Sequence, residues 1–236
     1  MAENQTQFCM MITPESLSAE AKAALEGHKA ALLNDYKWPL GSVIKVKFVG
    51  GSEALQKKVR AVAETWIQPG LANLRFSFVP SGDADVRVAF AQGDGSWSYI
   101  GTYCKNIPQN QPTMNYGWLT DTSSADEIQR VVLHEFGHAM GLIHEHQNPK
   151  HAIKWNTPAV IQDLSGPPNN WDQATIQHNM FDKYDPKKVT ATNVDALSIM
   201  MYPIPKSWTL DGFSAGLNGE LSPNDKKLIH KVYPGT

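Results

Sequence analysis

Four of the eight histidines fall between positions 134 and 146, in the run His134-Glu135-Phe136-Gly137-His138-Ala139-Met140-Gly141-Leu142-Ile143-His144-Glu145-His146. On a helix, residues four apart are separated by about 400° of rotation and a rise of about 6 Å. His134 and His138 therefore fall one turn apart on the same face, spaced for two imidazoles to hold one ion. A catalytic tetrahedral zinc site takes three protein ligands and leaves a corner for water. Gly141 offers the route to the third, because glycine accepts positive φ, ends the helix and lets the chain double back until His144 points at the same spot. Glu135 is rotated about 100° from His134, outside the coordination shell but within reach of a water at the open corner. Zinc lowers the pKa of such a water to ~7, and Glu135 is placed as the general base that takes its proton and later hands it to a leaving amine. The implied reaction is peptide hydrolysis. Five specified positions over about 230 starting points give a chance expectation on the order of 10⁻⁴, so coincidence is a poor rival.

These residues need a helix and a floor. Ser124-Ala125-Asp126-Glu127 reads as a capping box opening a helix through Ile128, Val131 and Val132 to about Met140. Upstream, Ile44, Val46 and Phe48 alternate with Lys45 and Lys47 as in a half-buried strand. Ser52 caps a helix whose Leu55, Val59, Val62, Ala63 and Trp66 form one stripe ended by Pro69-Gly70. Leu74-Phe76-Phe78 and Val86-Val88-Phe90 alternate, and Trp97 to Tyr103 and Thr113 to Leu119 are weaker strand candidates. Downstream of His151 the pattern thins into a turn cluster at 166–170, a short helix within Trp171 to Phe181, and a last helix from Ser222-Pro223 to Val232. At the other end, Thr13-Pro14-Glu15 begins a helical extension through Leu17, Ala21, Ala24 and Leu25.

Composition narrows the partners. The 236 residues are 42% hydrophobic and 19% charged, an ordinary folded-chain composition. Lys and Arg total 21 against 23 for Asp and Glu, so no basic surplus points to nucleic acid or an anionic membrane. Phe8 to Ile12, the longest apolar run near the N-terminus, is far short of the ~20 residues a spanning helix needs, and no signal peptide is visible. The expected partners are protein or peptide substrates, with no nucleic acid, no membrane and a monomer as the default. Cys9 and Cys104 are too few for a disulfide framework; a bridge between them and two buried thiols are equally open readings.

The pattern His-Glu-x-x-His-x-x-Gly-x-x-His at 134–144 resembles the metzincin zinc peptidases, whose second motif is a methionine turn beneath the metal. Ser198-Ile199-Met200-Met201-Tyr202 is similar to that turn in its astacin form, as are Glu145 after the third His and Gly95-Ser96-Trp97-Ser98-Tyr99-Ile100-Gly101 upstream. The resemblance covers roughly Trp38 to Tyr233. It implies an α+β, zincin-like fold: a twisted mixed sheet with long helices in an upper lobe to about residue 144, and a loop-rich lower lobe, 145–236, with the methionine turn and the C-terminal helix. It also implies one zinc per chain on His134, His138 and His144, Met200 as the structural floor, and Tyr202 as a distant fifth ligand that swings to the oxyanion of the tetrahedral intermediate. A rim strand at Trp97, Ser98, Tyr99 and Ile100 would pair with extended substrate.

Residues 1–34 fall before the resemblance and read as a pro-like extension to a catalytic domain at 35–236. In the family Glu145 would meet the freed N-terminus, which alignment puts near Lys29 to Leu33. Cys9 would then be a candidate inhibitory switch, blocking the zinc as a thiolate. With at most one disulfide, the chain resembles a cysteine-poor branch; the resemblance implies secretion, but the two cysteines and the lack of a visible signal peptide give it no support of their own. The rival readings are an inactive zinc-binding module of the same fold and a peptidase effector or toxin of narrow specificity. Glu135 argues against the first, since a structural zinc site has no use for a carboxylate beside the water position. His146 and His151 read as solvated.

Overall fold

The computed structural model describes residues 6–13, 36–149, 153–185, 187, 189–190 and 194–235. The expected N-terminal helix and the segment Lys29 to Leu33 lie outside the described residues, as does His151. The alternation at Ile44 to Phe48 gives β2 (Val43–Phe48), with Ile44 and Val46 buried in the main core and Lys45 exposed. It belongs to a six-stranded mixed sheet ordered β1 (Cys9–Ile12), β5 (Ser96–Tyr99), β6 (Met114–Tyr116), β4 (Val86–Ala89), β2 and β3 (Arg75–Phe78). Neighbours run parallel except β5 and β6. With the helices below, this is the α+β architecture the resemblance implies.

Helix α1 (Glu53–Ala63) begins at Ser52, whose side chain accepts from the Leu55 amide, and buries Leu55, Val59 and Ala63. It packs on α2 (Ala125–Ala139), and Trp66, just past α1, donates from Nε1 to the Leu133 carbonyl at 2.9 Å. The fully buried indole and the stripe below it lock α2 under the sheet, each large side chain contributing ~1.5 to 3 kcal/mol. A second apolar cluster gathers Phe8, Val160, Leu164, Trp171, Met201, Tyr202 and Trp208 around α3 (Thr157–Ser165) and α4 (Gln173–Ile176), which runs into a π-turn at Gln177–Phe181. Helix α5 (Pro223–Val232) opens on a reciprocal Ser222–Asp225 capping box.

Several expectations are revised. The strand expected over Trp97 to Tyr103 stops at Tyr99 and gives way to a 3₁₀ turn at Gly101–Asn106; Gly101 sits at φ 44°, and a Cβ there would run into the Tyr36 carbonyl. The candidate strand at Thr113 to Leu119 contracts to β6. The capping box at Ser124 is only half made: Ser124 accepts from the Glu127 amide at 3.2 Å, while the Glu127 carboxylate takes Trp118 Nε1 and Arg130. Helix α3 and strand β1 were not anticipated. Cys9 and Cys104 are unpaired and buried, which decides for two thiols; burial pushes Cys104 up to about 12. Among the described residues no helix is long and apolar enough to cross a membrane.

Candidate metal centre and cleft

Helix α2 delivers His134 and His138 one turn apart, and its end delivers His144. Gly141 takes φ 97°, its amide donates to the His138 carbonyl at 2.8 Å, and the Leu142 amide donates to the Gly137 carbonyl at 2.9 Å. This paired closure is the Schellman motif expected of a glycine just past the last turn. The ligating atoms offered by His134, His138 and His144 all lie within 4.8 Å of one another, and the three rings are buried.

The hydrogen bonds outside the triangle fix the tautomers. His134 Nδ1 pairs with the Ile199 carbonyl at 2.8 Å, and His138 Nδ1 with the Leu142 carbonyl at 2.8 Å. A carbonyl only accepts, so both Nδ1 atoms carry the proton and both Nε2 atoms present bare lone pairs. Those two Nε2 atoms stand 3.1 Å apart, and His138 Nε2 is also 3.1 Å from His144 Nε2. Lone pairs facing at that distance repel unless a cation sits among them. Tetrahedral ligands at 2.0–2.1 Å from zinc stand roughly 3.3 Å apart, so the donor set and its spacing fit zinc. Burial keeps the rings neutral, as metal ligands must be, pulling His134 down to about 4 and His138 and His144 further below their ordinary value.

The turn at 198–202 packs against the cluster, through the Ile199 carbonyl on His134 and the Tyr202 ring on His144. Ser198 Oγ accepts from the Met200 amide at 3.0 Å and donates to Asp225 Oδ1 at 2.6 Å, while Asp225 Oδ2 takes the Ile199 amide at 2.8 Å. The first turn of α5 thereby holds the carbonyl that orients His134. Met200 presses its sulfur on Gly137, where a Cβ would collide with it. Asp225 had no part in the expectations; its only signal in the sequence is its place three residues after the Ser222 cap.

Glu135 is fully buried on the neighbouring face of α2, and burial pushes its carboxyl well above the usual range against a smaller opposing pull from Cys9 and Arg130. Neither of its oxygens has a hydrogen bond of good geometry among the described residues, although the Cys9 thiol faces it. Tyr202 packs its ring 4.2 Å from that of His144, and its hydroxyl donates a short hydrogen bond to the Cys9 carbonyl oxygen. Cys9 is therefore between Glu135 and Tyr202, and its sulfur is not among the atoms that converge with the three imidazoles. The segment Trp97 to Tyr99 lies in β5, and β1 occupies the edge of that strand away from β6, in parallel register from Cys9 opposite Ser96 to Ile12 opposite Tyr99. Ile100 continues the pairing, its amide donating to the Ile12 carbonyl at 3.2 Å.

Glu145 is buried beside the cluster, accepts from Asn148 Nδ2 at 3.1 Å and the Asp195 amide at 3.2 Å, and is pushed up to about 7 by burial. It lines a cleft together with Lys37, Leu142 and Leu228. His146 corrects the sequence reading. It is 1% exposed rather than solvated, bonds through Nε2 to the Asn179 carbonyl at 2.7 Å, and packs on Tyr202 with ring centres 4.7 Å apart. Burial by Asn179 and Trp155, both distant in sequence, could not be read from its spacing.

Three imidazoles converge at the end of a helix beneath a mixed sheet, with a buried carboxylate alongside. Residues 33–233 match the astacin family of peptidases, and the chain belongs to that family. It is similar to the solved structure of myroilysin, 43% identical with a TM-score of 0.83, over 88% of this chain and 100% of that one. It is 27% identical over 209 residues to blastula protease 10 of Paracentrotus lividus, a match covering 82% of this chain and 30% of that protein's length. The high choriolytic enzyme 1 of Oryzias latipes, a hatching enzyme zinc-protease, shares the fold at 17% identity and a TM-score of 0.55, over 86% of this chain and 96% of that one.

Proposed function

We propose that the chain is a zinc-dependent endopeptidase in which His134, His138 and His144 hold one zinc per chain, Glu135 is the general base and Tyr202 stabilises the transition state. The facing Nε2 atoms of His134 and His138 support this reading most directly, because a cation between them would relieve the repulsion of their lone pairs. Zinc held by these residues would supply Lewis acidity, lowering the pKa of a water to ~7. Glu135 takes the proton from that water and returns it to the leaving amine; its burial raises its affinity for the proton in transit. Tyr202 gives its hydroxyl hydrogen to the oxyanion, as it now gives it to the Cys9 carbonyl. Met200 and Asp225 keep the turn, and with it the His134 ring, in place.

The full chain is held inactive by its own N-terminal strand. With β1 on the rim edge, the Cys9 thiol towards Glu135 and the Cys9 carbonyl on Tyr202, both reacting groups are engaged and the substrate's strand position is taken. Residues 1–28 act as the removable segment, Cys9 as the switch, and the cleft beside Glu145 receives the new N-terminus once it is freed near Lys29 to Leu33.

Zinc analysis and peptide cleavage, with and without chelator, test the first part on the chain freed of its N-terminal segment and on the same freed chain carrying Glu135→Ala. The variant keeps its zinc and loses at least ~10² to 10⁴ in rate. Equal rates in the two proteins would refute the role. For the second part, Cys9→Ala in the full chain raises the rate of cleavage, and no rise would count against the switch.

A further inference from the structure

His134 and His138 each rest their outer nitrogen on a main-chain carbonyl, those of Ile199 and Leu142. His144 has no such carbonyl. Its Nδ1 is buried and meets no acceptor in good geometry among the described residues, and the same holds for a buried acceptor three residues on, Gln147 Oε1. The two atoms are complementary, and the Gln147 side chain is close enough to His144 to hold up the proton affinity of its ring against burial. The Gln147 amide is oriented from its other end. Its Nε2 donates to the His178 carbonyl at 2.6 Å and to the Asp182 carbonyl at 3.1 Å, which uses both hydrogens. Turning the amide over would set Oε1 against those carbonyls, so the oxygen is directed away from them. The two acceptors lie in the π-turn Gln177–Phe181 and on its C-cap residue, where a helix runs out of donors of its own. A third carbonyl of the turn, that of Asn179, takes His146 Nε2 at 2.7 Å. The chain just past the third imidazole is thus docked on the π-turn by its side chains.

We propose that Gln147 is the positioning residue of His144: its carboxamide oxygen takes the Nδ1 proton, so that Nε2 faces the metal with a lone pair, and its NH₂ group anchors this arrangement to the π-turn. The proposal rests on the zinc reading above. Nothing else around the ring selects that tautomer. His138 Nε2 is bare and stands 3.1 Å from His144 Nε2, so without an acceptor on its far side His144 would donate from Nε2 to His138 and offer an incoming ion a proton instead of a lone pair. An acceptor at Nδ1 reverses the preference, fixes the plane of the ring and raises the basicity of the nitrogen that ligates. Gln147 does for His144 what the Ile199 and Leu142 carbonyls do for the other two rings, and the π-turn does for Gln147 what Asp225 does for the turn at 198–202.

The test is a zinc titration of the full chain and of its Gln147→Met variant, a side chain of similar length without the acceptor, beside NMR spectra of both with ¹⁵N-labelled histidine. In the zinc-loaded parent, His144 should be protonated at Nδ1 and ligate through Nε2, its proton protected from exchange as are those of His134 and His138. Gln147→Met should bind zinc ~10- to 100-fold more weakly, lose that protection at His144 and keep it at the other two rings. A residue that only packed the lower part of the molecule would lower the Tm of the metal-free protein and leave the His144 signal as it is. Since the variant removes buried hydrogen bonds and could fail to fold, the parent spectrum is decisive by itself: His144 ligating through Nδ1, or an Nδ1 proton that exchanges freely, would overturn the role of Gln147. So would a Gln147→Met chain with the His144 signal unchanged, whatever its zinc affinity. With zinc still bound, each of these results leaves the hydrolase reading standing. A parent chain that takes up no zinc would overturn both.

Discussion

At the scale of single residues, the chemistry lies in how close a few atoms are forced to stand. Gly137 is glycine because the Met200 sulfur occupies the place of its Cβ, with Trp66 Cζ2 3.3 Å from the same point. Gly137→Ala should cost ~1 to 3 kcal/mol and weaken zinc binding together with it, read by the denaturation midpoint and a zinc titration. Tyr202→Phe keeps the ring against His144 but removes the donor; a loss of ~10² to 10³ in kcat with zinc retained is the expected result, and an unchanged kcat would exclude the oxyanion role. Residues of this kind were legible when their signal was local. His134, Glu135, His138 and Gly141 are a single helix and its end, and spacing alone brings them together. His146 was misread because what buries it comes from Asn179 and Trp155, which no spacing in its own neighbourhood could announce.

At the scale of elements, α5 and the methionine turn act as one unit. Asp225 takes the Ser198 hydroxyl and the Ile199 and Ser222 amides, joining the helix start to the loop whose Ile199 carbonyl orients His134. Asp225→Ala leaves these donors buried without an acceptor; a stability loss of ~2 to 4 kcal/mol and a weaker zinc affinity follow, checked by denaturant unfolding and metal titration. Helices with strong caps and stripes, α1, α2 and α5, were readable because their determinants are close in sequence. Strand β1 was not, since four residues, Cys9–Ile12, become a strand only by pairing with β5 across most of the upper part of the chain. A strand from Trp97 was foreseen, but its end before Gly101 depends on the approach of the Tyr36 backbone.

At the scale of the whole molecule, the two apolar clusters meet at the cleft, and the N-terminal strand runs between them: Cys9 belongs to one and Phe8 to the other. Burial also makes the metal-free protein sensitive to acid. His134 is held at about 4 and His146 at about 3, chiefly by desolvation, against an ordinary value of 6.5 in the unfolded chain. Below pH 6.5 the unfolded chain binds protons that the folded chain refuses. Each such ring therefore lowers stability as the pH falls from 6.5 towards 4, by up to ~1.4 kcal/mol per pH unit; the raised carboxyls of Glu135 and Glu145 act the other way, but the four depressed rings, His138 and His144 included, outnumber them, so stability falls on balance. Tm measured on chelator-treated protein between pH 7 and pH 4 checks this, and a flat profile would contradict it. The most direct test of the account as a whole is a zinc titration of the chain beside its His134→Ala, His138→Ala and His144→Ala variants. One tightly held zinc per chain, with affinity falling by orders of magnitude in each variant, is the predicted result; an undiminished affinity in any of the three would contradict the claim that these imidazoles converge on one ion.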